Sequence, residues 1–205
     1  MPKKSPAPPT IERIAQLQQL VADFAKVLRL PNLADINRRE NDVEHSYGLA
    51  LTCWFLAPKL APELNLEKIF CYALAHDLVE IYAGDTNPFG LHEHIQTKLQ
   101  REAVAAKRLK KEWPDFKDLD QYIEGYAAKR DQEAVFVYGV DKLLPPIMVN
   151  LGEKDKHWNK HKITLQMHTA EKEAKMSQSK YIWPYHERLI EWLTSPDYFY
   201  KPKAK

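Results

Sequence analysis

The stretch IFCYALAHDLVEIYAGD, from Ile69 to Asp85, decides how this chain folds. Its opening residues are apolar on almost every side, so they belong to a helix that is buried all round. His76 and Asp77 then follow one another inside that apolar context. Two consecutive ionisable side chains in a buried helix are costly unless they are paired or bound to a metal. Glu80 stands four residues after His76 and three after Asp77, which brings it to the same helix face within one turn. Gly84 suits a helix C-cap. Asp85, directly after it, sits where a loop can aim a carboxylate over the same site.

The segment AVFVYGVDKLL repeats the problem, with Asp141 as an acid inside an apolar helix. Two such violations in one small domain suggest that they meet. A buried salt bridge between them is one account. A metal is the other, and it also gives His45 a role, although His45 alone reads more simply as a hydrogen-bonded histidine. His45, His76, Asp77 and Asp141 together offer neutral imidazoles and carboxylates, a donor set suited to one divalent ion such as Mn²⁺, Co²⁺, Fe²⁺, Ni²⁺ or Zn²⁺, with Mg²⁺ kept open. Four protein ligands leave room for water and a phosphoryl oxygen. By themselves, Glu80 reads as a solvated helix residue and Asp85 as a turn-former. Beside a metal they suit proton transfer, orientation of water or a hold on a substrate hydroxyl.

The rest of the chain supplies helices to surround this site. Residues 1–9 are polar and proline-rich and read as a disordered tail. Thr10 caps a first helix whose apolar positions Ile14, Leu17, Val21, Phe24 and Leu28 recur at intervals of three and four, and Pro31 stops it. A loop over 32–39 leads to a second helix, starting at Asn41 or Asp42, with His45, Leu49, Thr52 and Leu56 on one face; it ends by Pro58. A third opens after Asn65 and runs through His76 and Glu80 to Gly84, and a loop follows over 85–91. Next come a charged helix over 93–112, a short one capped by Asp115, and an apolar one over 134–144, capped by Asp131 and closed by Pro145-Pro146. Two more span 157–177 and 181–193, ahead of a basic tail over 196–205. With no convincing strand alternation, the expectation is an all-α single domain of seven or eight helices over 10–195.

Composition limits the function classes. The chain has 205 residues, 44% hydrophobic and 28% charged, with a formal net charge of +2. No basic stripe marks a nucleic-acid face. No stretch approaches the roughly 18 apolar residues that span a bilayer, and the N-terminus lacks the apolar core of a signal peptide. The expectation is a soluble cytoplasmic protein with no nucleic-acid or membrane partner. Cys53 and Cys71 sit in apolar stretches and read as small buried hydrophobes. His157, His161 and His168 stand four and seven residues apart, a spacing that shares a helix face and reads as polar surface before it reads as a metal site.

These segments resemble the HD-domain phosphohydrolase superfamily, defined by H…HD…D ligands on a helical scaffold, and within it the bacterial 5′-deoxynucleotidase-like branch. The resemblance runs over residues 10–150 and is most specific in the HD-x-x-E-x-x-x-G-D run from His76 to Asp85. It implies a helical bundle, often dimeric, so a homodimer is expected. It implies His45, His76, Asp77 and Asp141 as metal ligands, Glu80 and Asp85 as the essential acids, and Arg29 as a phosphate contact, with Arg38 and Arg39 as alternatives. The implied activity is release of phosphate from 5′-nucleoside monophosphates, particularly deoxyribonucleotides. The branch's best-known members carry Trp directly after that arginine, where it helps exclude the ribose 2′-hydroxyl. This chain has Leu30, so either the match slips within 29–39 or the sugar selectivity differs. Two other readings stay open: hydrolysis of nucleoside polyphosphates or alarmones, and a non-catalytic nucleotide-binding module.

Overall fold

The first helix stops earlier than its apolar spacing predicts. In the computed structural model, which describes residues 8–33, 36, 38–152, 155–193 and 198–202, α1 spans Ile11–Phe24. The Thr10 hydroxyl caps it by accepting from the Arg13 N–H at 3.3 Å. It buries Leu20 and Phe24, whereas Ile14 and Val21 are exposed. Leu28 lies outside it, in a strand, β1 (Leu28–Asn32), paired antiparallel with β2 (Arg39–Asn41). The expected uninterrupted loop over 32–39 and the absence of strands are therefore corrected. The alternation escaped notice because it is inverted: Arg29 and Pro31 point inward while Leu28 is exposed. A two-stranded ribbon also tolerates Pro31, which has no N–H to donate.

Asn41 and Glu44 form a reciprocal cap, each side chain accepting the other's N–H at 3.0 Å. This starts α2 (Asp42–Leu60), which runs past Pro58 and buries Asp42, His45, Ser46, Leu49, Cys53 and Ala57. The third predicted helix is divided. α3 (Leu66–Ala75) gives way to a turn over 76–79, and α4 (Glu80–Ala83) ends at Gly84, whose φ of 73° places it in the left-handed region. The charged helix divides at Thr97 into α5 (His92–Gln96) and α6 (Lys98–Glu112). α7 (Leu119–Ala127) starts at Asp118, not Asp115.

The largest correction is α8 (Gln132–Gly152), which continues through Pro145 and Pro146 instead of ending there. The Asp131 carboxylate accepts from the Ala134 N–H at 3.0 Å at its start, as expected. Pro146 offers no N–H to the Lys142 carbonyl one turn earlier; that carbonyl accepts from the Lys172 ammonium at 3.1 Å instead. At full length α8 is, by length and composition, apolar enough to cross a membrane, but 56% of its most apolar window is buried inside this fold. The remaining chain forms α9 (Asp155–Lys160), α10 (Leu165–Met176), a 3-10 turn over Trp183–Tyr185 and α11 (His186–Leu193). The predicted helix over 157–177 is thus two, separated by Lys162 at φ 54°.

The expected all-α bundle is therefore the observed architecture. α2, α3 and α8 pack on one another around Leu49, Cys53, Ile69, Phe136 and Val140, and the C-terminal third joins the same core through Trp158, Ile163, Met176 and Leu193. α1, α6 and α7 enclose a second cluster around Leu20, Leu109, Trp113 and Ile123. Both cysteines are free thiols. Gly139 lets the C-terminal segment approach α8: a Cβ there would lie 2.6 Å from Ser179 and 2.8 Å from Ile182. Gly139→Ala should consequently lower stability by about 1–3 kcal/mol through overpacking, a drop of at least roughly 2 °C in Tm for a chain of this size. A thermal melt checks this; an unchanged Tm contradicts the close approach.

Candidate functional site

The turn that divides the third helix is what builds the site. It releases His76 and Asp77 from a regular helix and lets both face α2 and α8. The ligand atoms of His45, His76, Asp77 and Asp141 lie within 4.8 Å of one another and can hold a metal ion. His45 Nε2 is 3.0 Å from Asp141 Oδ1, and His76 Nε2 is 2.9 Å from Asp77 Oδ2 and 4.0 Å from Asp141 Oδ1. His76 Nδ1 lies 3.0 Å from the Ala73 carbonyl oxygen. A carbonyl can only accept, so Nδ1 carries a hydrogen and Nε2 faces the cluster. Burial opposes the charge of the ring, but Asp77 and Asp141 outweigh it and raise its pKa in the metal-free protein; a divalent ion at Nε2 would take that proton's place. That Nε2 is buried and, although close to Asp77, has no hydrogen bond of good geometry. An orphaned imidazole nitrogen among carboxylate oxygens fits a divalent ion better than a self-contained salt-bridge network.

Asp141 is 1% exposed. Its Oδ2 accepts from the Tyr126 hydroxyl at 2.6 Å and from the Lys142 ammonium. Burial opposes its charge, but Lys142, His45 and His76 outweigh that and hold it well below the usual carboxylate range. Asp77 is likewise held ionised against burial by His76 and Arg29. Burial, with Arg29 nearby, pushes His45 down to about 4.

A second set of acids lies beside the first in the opposite state. Asp42, Asp77 and Glu80 also bring ligand atoms within 4.8 Å of one another. Burial, then the charges of Asp77 and Asp85, raises Glu80 to about 10. Burial chiefly raises Glu40 and Asp42 to about 7. Glu80 Oε2, Glu40 Oε2 and Asp42 Oδ2 are buried without hydrogen-bond partners. Arg29 reaches into this group from β1: Nη1 is 2.8 Å from Asp77 Oδ2 and 3.3 Å from Asp42 Oδ1, and Nε is 3.5 Å from Glu40.

One pocket runs from these groups toward the C-terminal helices, and Arg29, Leu30, Asp77, Glu80, Asp85 and Asp141 all line it. Arg101 fixes the loop bearing Asp85 by donating to the Ala83 carbonyl and, at 2.8 Å, to the Thr86 hydroxyl. Arg38 and Arg39 are directed elsewhere, to Glu44 and to the Leu28 and Arg29 carbonyls. Every residue expected at the site thus reaches this region, and Arg29 rather than its alternatives faces the pocket. His157 and His168 are buried, on α9 and α10 respectively, which corrects the expectation of one polar helix face.

Sequence reasoning missed Glu40, Asp42, Tyr126 and Lys142. Asp42 had a usable signal, since it stands three residues before His45 on the same helix. Nothing local marks the Tyr126 hydroxyl, which reaches Asp141 only because α7 packs on α8.

The family model for the HD domain matches residues 25–183. A solved structure described as a predicted metal-dependent phosphohydrolase from Magnetospirillum magnetotacticum MS-1 superposes with a TM-score of 0.75 at 27% identity, covering 92% of this chain and 96% of its own. A conserved hypothetical protein from Pyrococcus furiosus shares the fold, with a TM-score of 0.58 at 23% identity over 87% of this chain and 98% of its own. No curated protein sequence matches this chain.

The buried acids set a pH dependence for the metal-free protein. Glu40, Asp42 and Glu80 have raised folded pKa values, so above their ordinary values of 4.5, 3.8 and 4.5 the unfolded chain binds fewer protons than the native state. These acids therefore contribute a loss of stability as pH rises through about 7 and toward about 10, which buried Lys172, lowered to about 8, opposes between about 8 and its ordinary 10.5. Asp77 and Asp141, ionised in both states there, add no slope. His45, depressed to about 4, adds a loss as pH falls below its ordinary 6.5. Glu80→Gln should flatten the alkaline limb and raise the metal-free Tm near pH 9 by at least ~2–4 °C, about 1 kcal/mol at this size. Melts in chelator across the pH range test this, and a wild-type slope in Glu80→Gln would refute it.

Proposed function

Since this chain belongs to the HD-domain family, we propose that it is a phosphohydrolase of small nucleotides, releasing phosphate from 5′-nucleoside monophosphates. The coarser activity, metal-dependent hydrolysis, rests on the family and on the solved phosphohydrolase relative. The observation that carries the finer reading is that Asp77 and Asp141, the two carboxylates of the four-donor cluster, share one pocket with Arg29, Glu80 and Asp85.

In this reading His45, His76, Asp77 and Asp141 hold one divalent ion. Once bound, it supplies a Lewis acid for phosphoryl oxygen and a lowered pKa for water. Arg29 is kept charged against burial by Asp77, Asp85 and Asp141, so its guanidinium meets the phosphate without changing its own protonation. Glu80 retains its proton at neutral pH and serves as the acid for the leaving sugar oxygen. Asp85, fixed by the Arg101 anchor, accepts the proton of the attacking water or a substrate hydroxyl. The phosphorus–ester oxygen bond breaks, the bond from phosphorus to the water oxygen forms, and the proton that the water gives up to Asp85 is matched by the one that Glu80 delivers to the leaving oxygen. Leu30 lines the pocket beside Arg29. It is smaller than the Trp of the branch's best-known members, so we propose weak discrimination between ribose and deoxyribose.

Phosphate release from ribo- and deoxyribonucleoside monophosphates, with Mn²⁺ or Co²⁺ supplied, tests the assignment. Asp77→Ala and Glu80→Ala should each lower kcat by at least about a hundredfold, whereas His161→Ala, in the turn just after α9, should leave turnover intact. A metal-loaded protein that releases phosphate from none of these nucleotides defeats the proposal.

A further inference from the structure

Beyond the metal cluster the same pocket has a second wall, and it is cationic. Lys98 begins α6, Lys142 follows Asp141 on α8, and Lys172 and Lys175 stand one turn apart on α10; all four line the pocket. Lys172 is 5% exposed. Its ammonium donates to the Lys142 carbonyl that Pro146 leaves free, and it lies 3.2 Å from Glu171. Lys175 pairs with that same Glu171. Lys98 is 3.2 Å from Glu102 Oε1. Lys142 leans on Asp141, whose carboxylate also serves His45 and Tyr126.

The ammonium groups are close enough to disturb one another. Lys142 acts against the charge of Lys172 and Lys175, and Lys98 against that of Lys175, whereas neighbouring carboxylates outweigh burial and repulsion at Lys98 and Lys142 and keep both charged. Burial first, then Lys175 and Lys142, pulls Lys172 down to about 8 even with Glu171 beside it. His168 lines the same stretch of pocket, fully buried, with neither ring nitrogen hydrogen-bonded. Four ammonium groups, one of them buried, and an unpartnered buried imidazole form a wall whose charge and donors suit an anion.

We propose that Lys98, Lys142, Lys172 and Lys175 form a subsite for a second phosphoryl group, so that the preferred substrates are nucleotides bearing two phosphates. The contact between Lys142 and Asp141 joins this subsite to the metal cluster, so both groups of one molecule are held in a single pocket. The phosphoryl group attacked sits by Arg29 and Glu80; the other sits against the lysines. The inference rests on the hydrolytic reading of this site and extends its substrate class from nucleoside monophosphates to nucleotides with a second phosphoryl group.

The test separates the two claims. Binding of adenosine 5′-monophosphate, adenosine 5′-diphosphate and adenosine 3′,5′-bisphosphate is measured by calorimetry on Mn²⁺-loaded Glu80→Gln, which binds without turnover. At least one doubly phosphorylated nucleotide should bind about tenfold more tightly than the monophosphate, roughly one charged contact. Which of the two gains tells whether the second phosphate adjoins the first or sits across the sugar. Adding Lys98→Gln and Lys175→Gln, whose side chains are 35% and 32% exposed and so tolerate exchange, should abolish that advantage with the Tm retained. Equal binding of all three nucleotides, or an advantage that survives the lysine exchanges, overturns the subsite. Absence of phosphate release from every nucleotide by the wild-type protein, with the binding preference intact, would instead remove the hydrolytic reading and leave the subsite standing.

Discussion

The buried carboxylate of Asp141 is the constraint on which this structure depends. It sits on the central helix α8, is 1% exposed, and engages His45 from α2, Tyr126 from α7 and its own neighbour Lys142. An ionised carboxylate at that depth is tolerable only with every lone pair answered. The packing of α2, α3 and α7 against α8 therefore both builds the apolar core and supplies the partners that keep this charge in place. Removing one partner would leave an uncompensated charge in the middle of the bundle, so the site and the core share one set of contacts.

Around that anchor the carboxyl groups separate into two states. Asp77 and Asp141 stay ionised because imidazoles, Arg29 and Lys142 outweigh the cost of burial. Burial, aided by neighbouring acids, raises Glu80 to about 10 and Glu40 and Asp42 to about 7 in the metal-free protein, so they hold their protons to higher pH. Groups of one chemical type thus acquire opposite roles from their surroundings alone: ionised oxygens for a cation on one side, a held proton on the other. The break between α3 and α4 makes this separation geometrically available, since it frees His76 and Asp77 from a shared regular helix while Glu80 starts the next one.

The C-terminal third is part of this machinery rather than an appendage. Trp158, Ile163, Met176 and Leu193 extend the main core, and Gly139 permits the close approach that seats them. The prolines of α8 contribute as well. By withholding an N–H from the Lys142 carbonyl, Pro146 provides the acceptor that holds Lys172 at the pocket wall. A backbone defect in one helix thereby positions a charge carried by another.

The residues alone carried the all-α class, the family resemblance and the expectation that His76, Asp77 and Asp141 meet, with His45, Glu80 and Asp85 joined to them by that resemblance. They could do so because ionisable residues inside apolar helices are anomalies visible without any coordinates. The same reasoning stopped α8 at Pro145 and carried α1 on to Leu28, because local propensity has no access to the packing that overrides it. The hairpin was hidden by an alternation that points Arg29 inward, which makes sense only once its carboxylate partners from β2, α2 and the turn after α3 are in place. Tertiary structure alone decided which carboxyls are ionised, which arginine faces the pocket, and that lysines from α6, α8 and α10 form one wall. Each of these depends on distances between residues far apart in the chain, and those distances exist only once the helices have packed.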